Sequence, residues 1–351
     1  MNPKVKLGFV ISTFIISGCV ITTPSLVAET DLSDFHEKAE PEGSSNKDIE
    51  FTFTAFGDSG WAETHEKRPA YSGNFKKAFL RFDPNKKTLG DINYINWETS
   101  VGSQCDQFWS AQSPSAYAFL THPRELKDAI GLGFNVIGLA NNHTFDCLSS
   151  KEGNGPLQSH GFVEDIRQNK PNIAMSGVFT KPQEEPIKIN IKTKKGDIPI
   201  TFLSAYVGGH EGHCLNMSCL LNASNHTNAF TDKKRLRIIA LHSWNKSTHN
   251  ELKKALKNWV SSNLVDIAIG TGPHIAENIE VVKTEYGNKI IATSLGNFIH
   301  PSLSPQIKNV ALQTKWNFDK DSKHFKLLKV EAVKISCDGG ECRDNGNFQL
   351  F

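Results

Sequence analysis

Past residue 16 no apolar run approaches the ~20 residues that a membrane-spanning helix needs, so the body of the chain carries no candidate span. Charge of one sign is not in excess. Lys and Arg number 39 against 37 Asp and Glu, a formal net charge of +2, and the lysines are scattered. That balance argues against a nucleic-acid partner. The CxxC spacing of structural zinc sites is missing although the chain has 7 cysteines, so cysteine-held zinc is not indicated. No segment repeats, which excludes solenoids and propellers.

What is present starts at the first residues. Met1–Lys6 holds two lysines, and Leu7–Ile16 is a short apolar run that ends in Ile16-Ser17-Gly18-Cys19. A basic start, a short apolar stretch and small residues before a cysteine predict a lipoprotein signal over 1–18, with Cys19 carrying the lipid. Ordinary cleavage near Ala28 is the competing reading. Acyl chains add ~0.8 kcal/mol per buried CH₂, which places the mature chain on a membrane surface without crossing it. The expected location is therefore the bacterial cell envelope, lipid-anchored to the cell membrane or outer membrane. Residues 19–49 are polar, charged and poor in large apolar groups, a flexible tether. Residues 50–351 remain for one large domain, with an aperiodic Gly/His/Asn/Cys-rich insertion near 208–231.

Setting Cys19 aside leaves six cysteines, an even number in an exported chain, and disulfides are the natural reading. Cys214 with Cys219 and Cys337 with Cys342 would each close a short loop. Cys105 and Cys147 remain, either as a third bridge or as partners elsewhere.

Hydrophobic periodicity organises the domain. Strands are expected at 48–56, 91–97, 134–140, 187–191, 198–206, 237–241, 265–269, 279–283, 289–293, 310–316 and 327–335, and helices at 123–131, 157–168 and 248–261. The dipeptide Gly196-Asp197 joins two strands as a hairpin. Strands alternating with helices imply a parallel sheet, and the strand-rich tail makes it mixed. The expected class is α/β, with two sheets sandwiched between helices.

Polar residues gather at the strand ends. Asp58, Asn96 with Glu98, Asn142 with His143, His242 and His274 each follow an apolar strand. One such residue alone is a common turn or cap. Several together mark the carboxyl edge of an open α/β sheet, where ligands bind. Carboxylate, amide and imidazole donors suit Mn, Fe or Zn, and also Mg, as one or two ions.

Gly57-Asp58, Asn96-x-Glu98, Ala140-Asn141-Asn142-His143-x-x-Asp146, His242, Gly270-x-x-Pro273-His274 and Ser294-Leu295-Gly296-Asn297-Phe298 occur in that order. In this the chain resembles the CapA/PgsA poly-γ-glutamate capsule proteins, from about residue 51 to about 300. The resemblance implies a four-layer α/β/β/α sandwich of the calcineurin-like metallophosphoesterase type. It also implies roles: Asp58 on one metal, Glu98 bridging or ligating, Asn142 on the second metal, His242 and His274 completing the spheres, and His143 as general acid or electrostatic partner near the reacting oxygen. Asp146, three residues on, would orient that imidazole, and Asn96, Asn141 and Asn297 would support the site. A disulfide between Cys105 and Cys147 would brace the loops of Glu98 and His143.

Two positions depart from the family pattern. Gly272 stands where a histidine is usual, and His242-Ser243-Trp244-Asn245 lacks the usual glycine and early glutamate. One imidazole is thus missing, for which water, His210 or His213 would have to substitute. Implied partners are an anionic polymer such as poly-γ-glutamate or a phosphorylated substrate, together with membrane components of a capsule synthase. The alternatives are a non-catalytic scaffold of that complex and a free-standing surface phosphoesterase. Lys253, Lys254 and Lys257 read as a solvated helix face before a polymer contact. Trp97 and Trp244 read as packing walls, and the sequon at Asn222 as chance.

Overall fold

The computed structural model describes residues 48–61, 63–64, 74–109, 118–181, 185–208, 212–220, 224–300, 306–338 and 341–350. Residues 1–18, Cys19, most of the tether and His210 lie outside these. The first half contains strands β1 (Asp48–Ser59), β2 (Glu63–Thr64), β3 (Ile92–Trp97), β4 (Ser100–Val101), β5 (Gln107–Phe108), β6 (Phe119–Thr121), β7 (Val136–Gly138), β8 (Cys147–Ser149) and β9 (Ala174–Ser176). Among them sit helices α1 (Phe75–Phe82), α2 (Pro123–Leu132) and α3 (Gly155–Asn169). The second half holds β10 (Ile187–Thr193), β11 (Gly196–Val207), β12 (Leu236–Ser243), α4 (Lys246–Ser261), β13 (Ile267–Thr271), β14 (Ile279–Thr284) and β15 (Gly287–Ala292). The tail is β16 (Gln306–Asp319), β17 (His324–Asp338) and β18 (Glu341–Gln349).

Two large sheets result, in the orders β18-β17-β16-β1-β3-β7-β9 and β10-β11-β12-β13-β15-β14. In the first, β1, β3, β7 and β9 run parallel while the tail strands are antiparallel. In the second, β11, β12, β13 and β15 are parallel, with antiparallel β10 and β14 at the edges. Their central strands are buried along their whole length, as in β3 and β12. Strands covered on both faces read as continuous apolar runs for this reason.

Three apolar layers hold the sandwich together. Phe51, Phe53 and Tyr94 of the first sheet meet Phe202, Ile238 and Ile269 of the second between the sheets. Phe56, Phe79, Leu126, Phe134 and Phe162 fill the space between the first sheet and α1, α2 and α3. Leu252, Leu256 and Trp259 of α4 cover Ile239, Leu241 and Ala268 of the second sheet. The order helix, sheet, sheet, helix is the four-layer α/β/β/α sandwich expected. Asn245 starts α4 by accepting the Thr248 N–H at 3.0 Å, while Thr248 Oγ1 accepts the Asn245 N–H, a reciprocal cap.

Several elements differ from expectation. The tether ends earlier than residue 49, because Asp48 and Ile49 already pair with Asp319 and Phe318. Helix α1 was not anticipated, nor was edge strand β18. The 208–231 insertion is not shapeless: it contains short 3₁₀ helices at His213–Leu215 and Ser224–Phe230. Met217 and Cys219 from it pack against Tyr206 and Ala140. The structure joins Cys105 to Cys147, Cys214 to Cys219 and Cys337 to Cys342. Among the described residues no helix is long and apolar enough to cross a membrane.

At the pole opposite the carboxyl edge, Asp266 is buried between Arg237 and Lys289. Arg237 Nη2 donates to Asp266 Oδ1 at 2.9 Å and Nε to Oδ2 at 3.0 Å, and Lys289 Nζ donates to Oδ1. Burial opposes charge on this carboxylate. The hydrogen bonds from Arg237 and the charge of Lys289 overcome it and hold its pKa below the usual value.

Candidate metal centre

The parallel strands of both sheets end at one pole, and their last residues bring the polar groups together. β1 is irregular against β3 between Ala55 and Asp58, the local re-aiming that bulges produce beside functional sites. Gly57 makes this possible: a Cβ there would lie 1.9 Å from the Gly296 carbonyl oxygen. The Asp58 N–H donates to Gly296 O at 2.9 Å and the Phe298 N–H donates to Asp58 O at 2.7 Å. The segment after β15 is thereby stitched to the end of β1.

Asp58 is fully buried. Its Oδ1 accepts from Asn96 Nδ2 at 2.7 Å and its Oδ2 from the Gly272 N–H at 2.7 Å. Glu98, also buried, presents its two oxygens to different groups. Oε1 lies 3.3 Å from His242 Nε2, and that nitrogen lies 2.6 Å from Asn142 Oδ1. Oε2 lies 3.6 Å from His274 Nε2 and 2.7 Å from His300 Nε2. The other ring nitrogen of His242 sits 2.9 Å from Thr271 Oγ1 and 3.4 Å from Asp58 Oδ1.

Asn141 does not face this centre as a ligand. Its Nδ2 donates to Trp97 O at 2.8 Å and its Oδ1 accepts the His143 N–H at 3.0 Å, so it caps the short 3₁₀ helix Asn142–Phe145. That cap sets the directions of Asn142 and His143. His143 Nδ1 is 2.6 Å from Asp146 Oδ2, which also accepts the Phe119 N–H at 2.6 Å. Asn297 is buried and its amide atoms form no hydrogen bond to a described residue. Further back, His249 links Ser243 Oγ to Glu277 Oε2, 3.0 Å at each end, and ties the end of β12 to α4.

Charge follows this geometry. Burial opposes protonation of His242, but Asp58 and Glu98 push its pKa up to about 10. Burial likewise opposes the His143 imidazolium, and the adjacent Asp146 carboxylate overcomes it and raises the pKa above the ordinary value. His274 is raised in the same manner by Glu98, whereas burial leaves His300 below its ordinary value. Burial would neutralise Glu98, yet the imidazoles of His300, His242 and His274 hold it well below the usual range.

A metal fits these residues. One ligand atom each from Asp58, Glu98 and His274 lies within 4.8 Å of the others. Glu98 Oε2 is buried, and two imidazole nitrogens converge on it. Carboxylate, imidazole and amide oxygen form a donor set for Mn, Fe or Zn.

Two expectations change, those for Trp244 and Lys253. The histidine usual at position 272 is excluded by the backbone: Gly272 has φ +117° and a Cβ there would lie 1.6 Å from Ser243 O. Trp97 is a packing wall, fully buried with its ring centroid 5.1 Å from that of Phe75. Trp244 is not: it is 62 % exposed in the turn between β12 and α4. On α4, Lys254 and Lys257 are solvated, while Lys253 pairs with Glu277 at 2.7 Å. His300 went unnoticed in the sequence because it lies eight residues past the end of β15, not at a strand end. His213 begins the short 3₁₀ helix His213–Leu215 of the inserted loop.

Comparison with known proteins adds the following. A family model described as bacterial capsule synthesis protein PGA_cap matches residues 52–302. A solved structure described as a novel phosphatase from Mycoplasma pneumoniae is 15% identical with a TM-score of 0.44, over 83% of this chain and 95% of that one. No curated protein matches the chain.

Proposed function

The chain belongs to the bacterial capsule synthesis protein family, and from that premise we propose that it is a metal-dependent hydrolase of the cell envelope. Its substrate is an anionic capsule polymer of the poly-γ-glutamate kind or a phosphorylated intermediate of its assembly. The observation that carries this reading is Glu98, whose two buried oxygens face separate donor groups, Asn142 with His242 on one side and His274 with His300 on the other. The Cys19 lipid of the sequence reading supports a place at the membrane surface beside the synthase that makes the polymer.

A bound divalent cation would supply Lewis-acid charge to a substrate oxygen. Asp58, Glu98, Asn142, His242 and His274 are the residues that would hold it. The chain itself contributes the proton. Asp146 engages His143 Nδ1 and fixes the tautomer, so Nε2 is the atom that passes a proton to the departing group, the amide nitrogen of a polymer or the ester oxygen of a phosphorylated intermediate. Its raised pKa keeps that proton in place until it is needed. The His274 side chain is 37% exposed and that of His143 15%, so this side of the centre is the one open to substrate.

The test is elemental analysis of the full chain in detergent after reconstitution with Mn or Zn, beside Glu98→Ala. Hydrolysis of poly-γ-glutamate and of a simple phosphate ester is assayed on the same samples. Metal in the parent that Glu98→Ala loses, with turnover of either substrate, is the expected result. A parent that retains no metal ends the hydrolase reading and leaves a scaffolding role in the synthase complex.

A further inference from the structure

We propose that His300 is a metal ligand, forming with Glu98 Oε2 and His274 a coordination sphere separate from that of Glu98 Oε1, Asn142 and His242. This deepens the metal-centre reading and rests on it.

His300 reaches the centre from a segment that is firmly held. Gly60 N–H donates to Ile299 O at 3.0 Å, and Phe298 N–H donates to Asp58 O. The preceding Phe298 is buried against Phe56, Phe79 and Phe82. His300 is 4% exposed, and its ring lies 5.3 Å from the ring of His274 and 5.9 Å from that of Phe119.

Spacing bears on whether His300 could share an ion with Glu98 Oε2 and His274. Ligands each about 2.1 Å from one cation stand roughly 3.0–3.4 Å apart at tetrahedral to octahedral angles. The Nε2 atoms of His300 and His274 stand 2.7 and 3.6 Å from Glu98 Oε2, on either side of that range. Two imidazoles, those of His300 and His274, converge on the buried Oε2.

Backbone strain points the same way. His274 has φ +59°, and Ile299, directly before His300, has φ +44°. For a β-branched residue this is an outlier. Left-handed backbone at a non-glycine residue costs on the order of 1–3 kcal/mol and persists at functional sites, where the surroundings over-determine it. Both imidazoles beside Glu98 Oε2 thus depend on strained backbone to reach it. The imidazole that the backbone forbids at Gly272 is supplied from another loop.

The experiment compares the full chain with His300→Ala and His300→Asn. Metal stoichiometry comes from elemental analysis, and Zn affinity from competition with a chromophoric chelator. Thermal unfolding confirms that the variants fold. Two equivalents are expected in the wild type. In both variants one tight equivalent stays, and the other weakens by at least the 10–100-fold that loss of a mere outer-shell partner costs. Zinc-edge X-ray absorption of the wild type, which needs no variant, should count three imidazoles shared by two ions. Unchanged stoichiometry and affinity in folded variants, or only two imidazoles in the wild type, overturns the role of His300 and leaves the metal centre standing. A wild type that takes up no metal overturns both.

Discussion

His143 Nδ1 and Asp146 Oδ2 stand 2.6 Å apart, one turn of 3₁₀ helix from each other, and the same carboxylate oxygen holds the Phe119 N–H. The contact fixes both the tautomer and the direction of the imidazole. His143→Ala should therefore lower kcat by about 10²–10⁴-fold, the usual worth of a positioned general acid. Its metal content should match the parent, because Asn142, not His143, faces His242. Loss of metal together with activity would assign His143 to the ligands instead.

Gly272 tests the backbone of the same site. An alanine there must leave φ +117° or push its Cβ into Ser243 O, and the Gly272 N–H holds Asp58 Oδ2 at 2.7 Å. We expect Gly272→Ala to lose about 1–3 kcal/mol from strain alone and to bind metal more weakly. Urea unfolding and metal titration measure the two effects. A variant as stable as the parent would show that the loop rearranges at no cost.

Asp266 gives a pH dependence. Replacing it with Ala leaves Arg237 and Lys289 buried without their anion, a loss of about 3–5 kcal/mol. Because its folded pKa lies below the unfolded value of about 3.9, its contribution is complete above that value and disappears as pH falls through the folded one. The stability gap between the parent and Asp266→Asn should be constant from neutral pH to about 5 and shrink below about 3.9. A gap that stays flat to pH 3, roughly one unit below that value, would contradict the depressed pKa.

The disulfides should rank by loop length. Cys105 and Cys147 are separated by 42 residues and Cys337 and Cys342 by 5. Chain entropy assigns about 4 kcal/mol to the longer loop and roughly 2 kcal/mol to the shorter. Paired serine substitutions, followed by thermal unfolding, compare them. The longer bridge also ties β5 to β8, next to His143, so its loss should reduce turnover as well. A larger penalty for removing the short bridge would set the loop-length account aside.

The strand-and-ligand pattern was legible because central strands are apolar throughout and their polar ends stand out against them. Asp58, Glu98, Asn142, His242 and His274 could be read for that reason. Strand β18, Glu341–Gln349, could not: it pairs only with β17, at the sheet edge, and its sequence ECRDNGNFQ has no apolar period. Helix α1 spans just eight residues, Phe75–Phe82, too short for a helical period to stand out. Arg237, Asp266 and Lys289 belong to three different strand starts, and only tertiary pairing unites them. Trp244 failed as a packing wall because it sits in a turn, and turns have an open side.

The centre also carries an order in time. Asp58, Glu98 and Asn142 precede β10, whereas His242, His274 and His300 come from beyond β11. A nascent chain therefore holds the oxygen donors of the centre before any of the three imidazoles that face Glu98. β16, which closes the first sheet against β1, comes later still. The protein cannot capture its ion early: the site is finished only when nearly all of the chain has emerged and folded back on its beginning.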